Sequence, residues 1–169
     1  MNYGIQMYSL RDITGTDLEG ALAAVAEMGY QNVEFAGFFG HSAEEVRAML
    51  DRHHLAVSGT HSGLGELTGN FAETVKYHKT IGNTQFIIPG HDLSTRAKLD
   101  EFIDACNGLA PKLHAEGIEL GYHNHSHEFY TTEEGYQIHA ELEKRCKVFF
   151  ELDTYWTFVA KLDPVATME

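Results

Sequence analysis

Basic residues are scarce in this sequence: 12 Lys and Arg stand against 25 Asp and Glu, which gives a formal net charge of −13 at pH 7. A chain this acidic is poorly suited to hold nucleic acid or an anionic membrane by charge, so we expect neither as a partner. Proline is also rare, with three residues in 169. The overall composition is that of a globular protein, which excludes a disordered or collagen-like chain.

Long hydrophobic runs are missing as well, and none approaches the roughly 18 apolar residues that a membrane helix needs. The N-terminal MNYGIQMYSLRD lacks a basic segment, so we expect no signal peptide. The two cysteines, Cys106 and Cys146, show no metal-type spacing and cannot form a disulfide scaffold. A reducing cytoplasm is therefore the predicted location.

What the sequence contains is an alternation of short apolar runs and helical patterns. The runs begin about 30 residues apart, and no two are joined by a hairpin-type turn, which predicts parallel strands linked by helical crossovers. The helices are predicted at Asp17–Met28, from Ser42 onward, at Phe71–Ile81, at Thr95–Ala115 with a bend or break at Pro111, and at Gly135–Arg145. The six predicted strands are Tyr3–Tyr8, Asn32–Ala36, Leu55–Thr60, Thr84–Pro89, Ile118–Asn124 and Val148–Asp153.

Two architectures fit this alternation, a doubly wound sheet and a (β/α)8 barrel. Strands of a doubly wound sheet are covered on both faces and read as continuous apolar runs. Several strands here alternate instead, with Leu120 and Tyr122 on one face and Gly121 and His123 on the other. No glycine-rich phosphate loop follows the first strand. The pattern favours the barrel, of which a single domain over residues 1–169 would hold about six of eight units.

The densest group of chemically active residues is HNHSHE at positions 123–128, directly after the fifth predicted strand. Imidazole and carboxylate groups are ligands for Zn²⁺, Mn²⁺ and similar ions. His123 and His125 share a strand face, so both can point at one centre. A solvated polar loop that binds nothing is the alternative interpretation of this motif.

The second group is FFELDTYW at positions 149–156. Asp153 falls where a strand meets the solvent, and Glu151 lies two residues deeper on the same face. Burying two carboxylates without a cation or hydrogen bonds is costly, so a metal, lysine or arginine partner is expected. The neighbouring Tyr155 and Trp156 can wall a sugar ring.

Three weaker candidates, Gln6, Glu34 and His61, lie on or just after early strands. Each can hydrogen-bond a polyol, and each is equally consistent with a satisfied polar group of the core. No serine has the context of a nucleophile elbow, which argues against a serine hydrolase.

These same segments resemble the sugar phosphate isomerase/epimerase family of xylose-isomerase-like TIM barrels. The resemblance runs in order along the chain, and its motifs are specific as a set. They are GIQMYSLRD at 4–12, VEFAGFFGHS at 33–42, SGTHS at 58–62, GYHNHSHEF at 121–129 and FFELDTYW at 149–156.

The resemblance implies an enzyme with a divalent metal (Mn, Zn, Mg or Co) at the C-terminal mouth of the barrel. Asp153 matches the metal-binding aspartate of the sixth strand. The fifth-strand ligand is ambiguous among His123, His125 and Glu128, and the expected metal set is Asp153, Glu128 and His125. Glu151 and His123 are then the expected proton carriers, and Gln6, Glu34, His61, Tyr155 and Trp156 are expected to contact substrate.

The implied reaction is isomerisation or epimerisation of a ketose, keto-sugar or cyclitol by proton transfer next to a carbonyl. A lyase or dehydratase shares the same first step. The seventh and eighth strands of the barrel are not found in the sequence, so we expect either a fragment of a longer product, completion by a second copy, or a rearranged fold. The competing function is a non-catalytic truncated barrel that binds ligand or self-associates without turnover.

Overall fold

The computed structural model describes residues 3–168, and these form six strands and eight α-helices. The helices are α1 (Arg11–Thr14), α2 (Leu18–Glu27), α3 (Ala43–His53), α4 (Leu64–Ile81), α5 (Arg96–Ala115), α6 (Ile138–Arg145), α7 (Thr154–Val159) and α8 (Pro164–Met168). Short 3₁₀ helices cover Met7–Leu10 and His127–Phe129. The strands are β1 (Gly4–Gln6), β2 (Asn32–Phe35), β3 (Ala56–His61), β4 (Gln85–Ile88), β5 (Glu119–His123) and β6 (Phe149–Glu151).

The chain divides into two compact units, a first unit that ends at Phe86 and a second that begins at Ile87. In the first unit β1, β2 and β3 are parallel neighbours in chain order. The pairing of β2 with β3 shifts by one residue, because Val33 lies opposite Val57 whereas Glu34 lies opposite Gly59.

The first unit buries its apolar residues between this sheet and the helices that connect the strands. Val33 and Phe35 from β2 pack with Leu22 of α2 and Leu50 of α3, and all four are fully buried. Helix α3 begins with the predicted capping box, since Glu45 N donates to Ser42 Oγ and Ser42 N donates to the Glu45 carboxylate.

In the second unit β5 and β6 are parallel neighbours, with Gly121 opposite Phe149 and His123 opposite Glu151. The core of this unit combines strand residues with the long helix α5, whose Leu99 and Phe102 are buried. The ring of Phe102 contacts that of Tyr122 at a centroid distance of 5.7 Å. The close packing of these rings fixes β5 against α5.

All six predicted strands are present. Five are shorter than predicted, and β3 keeps its length but is shifted by one residue. Parallel neighbours joined by helices confirm an α/β barrel repeat of six units. Three helix predictions need correction, those of α5, α6 and α4. Helix α5 continues past Pro111 to Ala115, because a proline near the C-terminal end removes only the hydrogen bond to Asn107 O. Helix α6 begins at Ile138, not at Gly135, because Thr131 and Gln137 form an antiparallel bridge.

Helix α4 begins at Leu64, seven residues before the predicted start. Its backbone leaves helical geometry at Asn70, with φ −150° and ψ 77°. The predicted start at Phe71 therefore coincides with the second of two helical segments. No helix within residues 3–168 combines the length and the apolar character needed to cross a membrane. The single-domain prediction for residues 1–169 remains a prediction.

Candidate functional site

The second unit places His123 and Glu151 side by side at the carboxyl ends of β5 and β6. The two residues are register partners in a parallel pair, so their side chains leave the sheet on the same face. His123 Nδ1 lies 3.2 Å from Glu151 Oε2, and both side chains are largely shielded from solvent. The carboxylate thus lies within ion-pair distance of the imidazole.

Asp153 lies against the other edge of the same imidazole, with Oδ2 3.8 Å from His123 Nε2. Its second oxygen, Oδ1, accepts a hydrogen bond from Trp156 N and so caps helix α7. The Asp153 backbone N–H donates to the buried Asn124 side chain at 2.8 Å. One carboxylate oxygen is thus fixed by the helix N-terminus while the other faces His123.

His125 is the next histidine along, with its ring centroid 5.1 Å from that of His123. It also contacts Trp156 at 5.4 Å and His127 at 5.9 Å. Burial lowers the pKa of His125, and this effect outweighs the nearby Glu128 carboxylate, which acts in the opposite direction. The lowered pKa favours the neutral imidazole at neutral pH, which is the form that accepts a proton.

Glu128 is fully buried, and its carboxylate is engaged by groups of the protein itself. Tyr122 donates its hydroxyl to Oε1 at 3.0 Å, and the His125 backbone N–H donates to Oε2 at 2.8 Å. Burial, together with the negative charge of Glu128, raises the pKa of Tyr122. This carboxylate holds the 125–128 turn in shape.

The two aromatic residues predicted to contact substrate lie in the first turn of α7. Trp156 is partly buried against His125, and Tyr155 is 64% exposed. Their rings contact each other edge to face at 5.0 Å. Trp156 thus contacts His125 directly, whereas Tyr155 contacts Trp156.

The first unit has its own polar cluster at the ends of β1, β2 and β3. Gln6 and Glu34 are register partners, and Gln6 Nε2 donates to Glu34 Oε1. His61 Nε2 lies 3.1 Å from the same Glu34 oxygen. The one-residue shift between β2 and β3 is local to this cluster and turns the end of β3 relative to Glu34.

Within each unit, the structure therefore brings together most of the residues expected from the sequence. Gln6, Glu34 and His61 form one cluster, and His123, His125, Glu151 and Asp153 form another. Sequence reasoning missed Asn124 and Tyr122, which hold Asp153 and Glu128 in place. The signal available in the sequence for Asn124 was its position between His123 and His125.

The donor set around His123 fits a divalent ion. A carboxylate oxygen and an imidazole nitrogen at 3.8 Å can share one ion, and a carboxylate on the opposite ring nitrogen is the usual outer partner of a metal-binding histidine. His123, Asp153 and Glu151 all belong to the second unit, and this donor set does not include Glu128.

The family of the chain follows from comparison with known proteins. Residues 22–168 match the family described as xylose isomerase-like TIM barrel, and the chain belongs to that family. The prediction from the sequence motifs is thereby confirmed. Curated protein sequences give no significant match.

Solved structures of the same fold include a sugar phosphate isomerase/epimerase from Parabacteroides distasonis. It is 24% identical, with a TM-score of 0.83 over 98% of this chain and 69% of that one. A probable 3-DHS dehydratase from Bacillus anthracis is 12% identical, with a TM-score of 0.72 over 99% and 68%. The D-psicose 3-epimerase of Clostridium cellulolyticum, solved with D-tagatose, is 13% identical, with a TM-score of 0.69 over 94% and 65%. This chain thus spans about two thirds of their length.

Proposed function

We propose that the second unit binds a divalent metal ion through His123 and Asp153 and that the protein moves a proton next to the carbonyl of a ketose, keto-sugar or cyclitol. The observation that carries the proposal is the placement of His123 Nε2 3.8 Å from Asp153 Oδ2, with Glu151 behind Nδ1. A bound ion of this kind polarises a substrate carbonyl and lowers the cost of the neighbouring carbanion.

This proposal changes the ligand set expected from the sequence. Glu128 and His125 were expected as ligands, but both Glu128 oxygens already accept hydrogen bonds in a fully buried setting. Removing that carboxylate from Tyr122 and from the His125 backbone would leave buried donors unsatisfied. We therefore assign Glu128 to shaping the turn and His123 to the ion.

The proton carrier in the proposal is His125. Its imidazole is next to His123, is partly exposed, and has a pKa lowered by burial, so it is a neutral base at neutral pH. Trp156 packs against the ring and limits its rotation. Glu151 keeps the His123 ring oriented through Nδ1.

In the first unit the cluster of Gln6, Glu34 and His61 is suited to recognise hydroxyl groups. A carboxylate accepts from a hydroxyl, while an amide or imidazole both donates and accepts. We propose that these residues contact the sugar. The proposal is supported by structures of the same fold that are named as a sugar phosphate isomerase/epimerase and as a D-psicose 3-epimerase.

Metal binding is tested by calorimetric titration of Mn²⁺ into the purified chain. Asp153→Asn is the informative variant, because asparagine still caps α7 and only the charge is lost. Asp163→Asn is its matched control, since Asp163 also begins a helix and accepts from Val165 N. We expect one ion per chain, binding abolished by Asp153→Asn, and no change in the control.

The ligand assignment is tested with two more variants. His123→Gln is expected to abolish binding, whereas Glu128→Gln is expected to retain it with lower stability. If Glu128→Gln abolished binding and His123→Gln retained it, the sequence-based expectation that Glu128 is a metal ligand would be supported instead.

Turnover is tested by following exchange of the proton next to the carbonyl of D-psicose and D-tagatose in deuterated water with Mn²⁺. Deuterium incorporation that is lost in His125→Gln supports the proposed reaction. Metal binding without any exchange would contradict ketose epimerisation by this chain.

A second candidate function, association of two copies, is favoured by the apolar surface of α7 and α8. The exposed side chains there include Phe158 at 67%, together with Leu162, Val165 and Met168. Sedimentation of the wild type and of Phe158→Ser tests it. A dimer that the variant dissociates supports association, and a monomer at all concentrations excludes it.

A further inference from the structure

A cavity of about 640 Å³ lies in the second unit between the loop after β4 and the loop after the second 3₁₀ helix. We call it the loop cavity. Its volume falls within the range of about 300–1,000 Å³ that is typical of small-molecule sites. The residues that matter below are Asp92, Leu93, His127, Tyr130, Glu133 and Glu134.

The two loops that form the walls are tied together by specific contacts. Tyr136 donates its hydroxyl to Leu93 O at 2.8 Å, and Arg96 lies over the Tyr136 ring at 4.2 Å. Arg96 also donates its backbone N–H to Glu134 Oε2 at 2.7 Å. The cavity is therefore shaped before any ligand arrives, which lowers the cost of binding.

The lining combines an aromatic face with negative charge. Tyr130 is 49% exposed, so its ring face is open to a ligand. Asp92, Glu133 and Glu134 contribute carboxylates, and hydrogen bonds from Lys98 and Ser94 lower the pKa of Asp92 well below its usual range. Ionised carboxylates accept strong hydrogen bonds from hydroxyl groups and repel phosphate.

The loop cavity adjoins the proposed site through one residue. His127 lines the cavity, and its ring stacks on that of His125 at 5.9 Å. A ligand in the loop cavity would therefore contact His127, whose ring in turn contacts His125, the proposed proton carrier.

We propose that the loop cavity binds an uncharged saccharide unit, the non-reacting part of a substrate larger than one monosaccharide. The C–H face of a sugar ring packs on Tyr130, and its hydroxyls donate to the carboxylates. Saccharide binding is inferred from the loop cavity itself. The idea that this saccharide is part of a larger substrate rests on the proposed function. We expect Glu133 and Glu134 to repel a phosphorylated sugar, whereas the charge of Asp92 is balanced by its ion pair with Lys98.

The experiment is ¹H–¹⁵N NMR titration of the whole chain, without metal, with methyl glycosides of the common hexoses and pentoses and with glucose 6-phosphate. We expect at least one methyl glycoside to shift the amides of 92–95 and 130–134 in a saturable way, and glucose 6-phosphate to leave them unmoved. Tyr130→Ala is expected to weaken binding about fivefold, whereas the exposed Tyr3→Ala is expected to leave it unchanged. Failure of every glycoside, or equal binding of the phosphate, would overturn the proposal.

The same titration separates this proposal from the proposed function. Asp153→Asn removes the expected metal ligand but none of the cavity walls, so glycoside binding is expected to persist. If methyl glycosides bind to the wild type but Mn²⁺ does not, the loop cavity is a saccharide site and the proposed metal site is wrong. Metal binding and proton exchange without glycoside binding would instead confine the substrate to a single sugar.

Discussion

Protonation of His78 is expected to destabilise the first unit in mild acid. The side chain is 1% exposed, and burial lowers its pKa from 6.5 to about 4. Nδ1 accepts a hydrogen bond from Asn83 Nδ2 at 2.9 Å. The orientation of the Asn83 amide is set independently, because its Oδ1 accepts from Gln85 N and its Nδ2 donates to Gln85 O. The hydrogen of neutral His78 is therefore on Nε2, and a proton added at Nδ1 breaks the contact with Asn83.

The magnitude follows from the difference in pKa between the folded and unfolded chain. Because the folded pKa of about 4 is below the unfolded 6.5, the unfolded state binds the proton first as pH falls. The stabilisation is complete above pH 6.5 and is lost as pH drops toward 4. At about 1.4 kcal/mol per pH unit, the loss in the free energy of unfolding is roughly 3 kcal/mol.

The assay is urea unfolding between pH 7 and pH 4 for the wild type and His78→Asn, in which the asparagine oxygen can still accept from Asn83. Other groups titrate in the same range, so the difference between the two proteins is the quantity of interest. We expect the wild type to lose roughly 3 kcal/mol more than the variant over this range. His54→Asn, on the surface, serves as a control that keeps the wild-type slope. Equal slopes for wild type and His78→Asn would refute the reasoning.

Three further substitutions test local features of the fold by urea unfolding. Gly121→Ala is expected to cost about 1–3 kcal/mol, because a Cβ there would lie 2.4 Å from the Phe149 ring; an unchanged midpoint would mean that the ring moves aside freely. Ser42→Ala removes the capping-box acceptor of Glu45 N and is expected to cost about 1 kcal/mol, and no loss would show that water replaces the cap. Tyr122→Phe removes a donor to the buried Glu128 and is expected to cost about 1–3 kcal/mol; a neutral result would contradict the structural role of that carboxylate.

The strands were predictable because their signal is local. Val33 and Phe35 are buried on one face of β2 while Glu34 faces the other way, and this alternation is readable without any tertiary knowledge. The capping box at Ser42 and Glu45 is local in the same sense. The start of α4 was not predictable, because Asn70 interrupts the helical geometry and imitates an N-terminal signal in the middle of the helix.

The residues of the candidate site were named from the sequence, but their mutual contacts depend on strand register and on a turn. Period-two alternation places His123 on one strand face but says nothing of the residue opposite, and only the pairing of β5 with β6 brings Glu151 to it. Strand geometry ends at His123, and the 3₁₀ helix His127–Phe129 then turns Glu128 inward. The carboxylate of Glu128 accepts hydrogen bonds from Tyr122 and from the His125 backbone, and this is why the proposed function assigns it to the turn.

The carboxylates near the ends of β5 and β6 thus differ in their burial and in their contacts. Glu128 is satisfied by donors of its own segment, so its burial needs no external cation. Glu151 and Asp153 instead flank one imidazole, and their negative charges converge on a group that carries at most one positive charge. In the proposed function, a divalent ion adds positive charge beside the same imidazole.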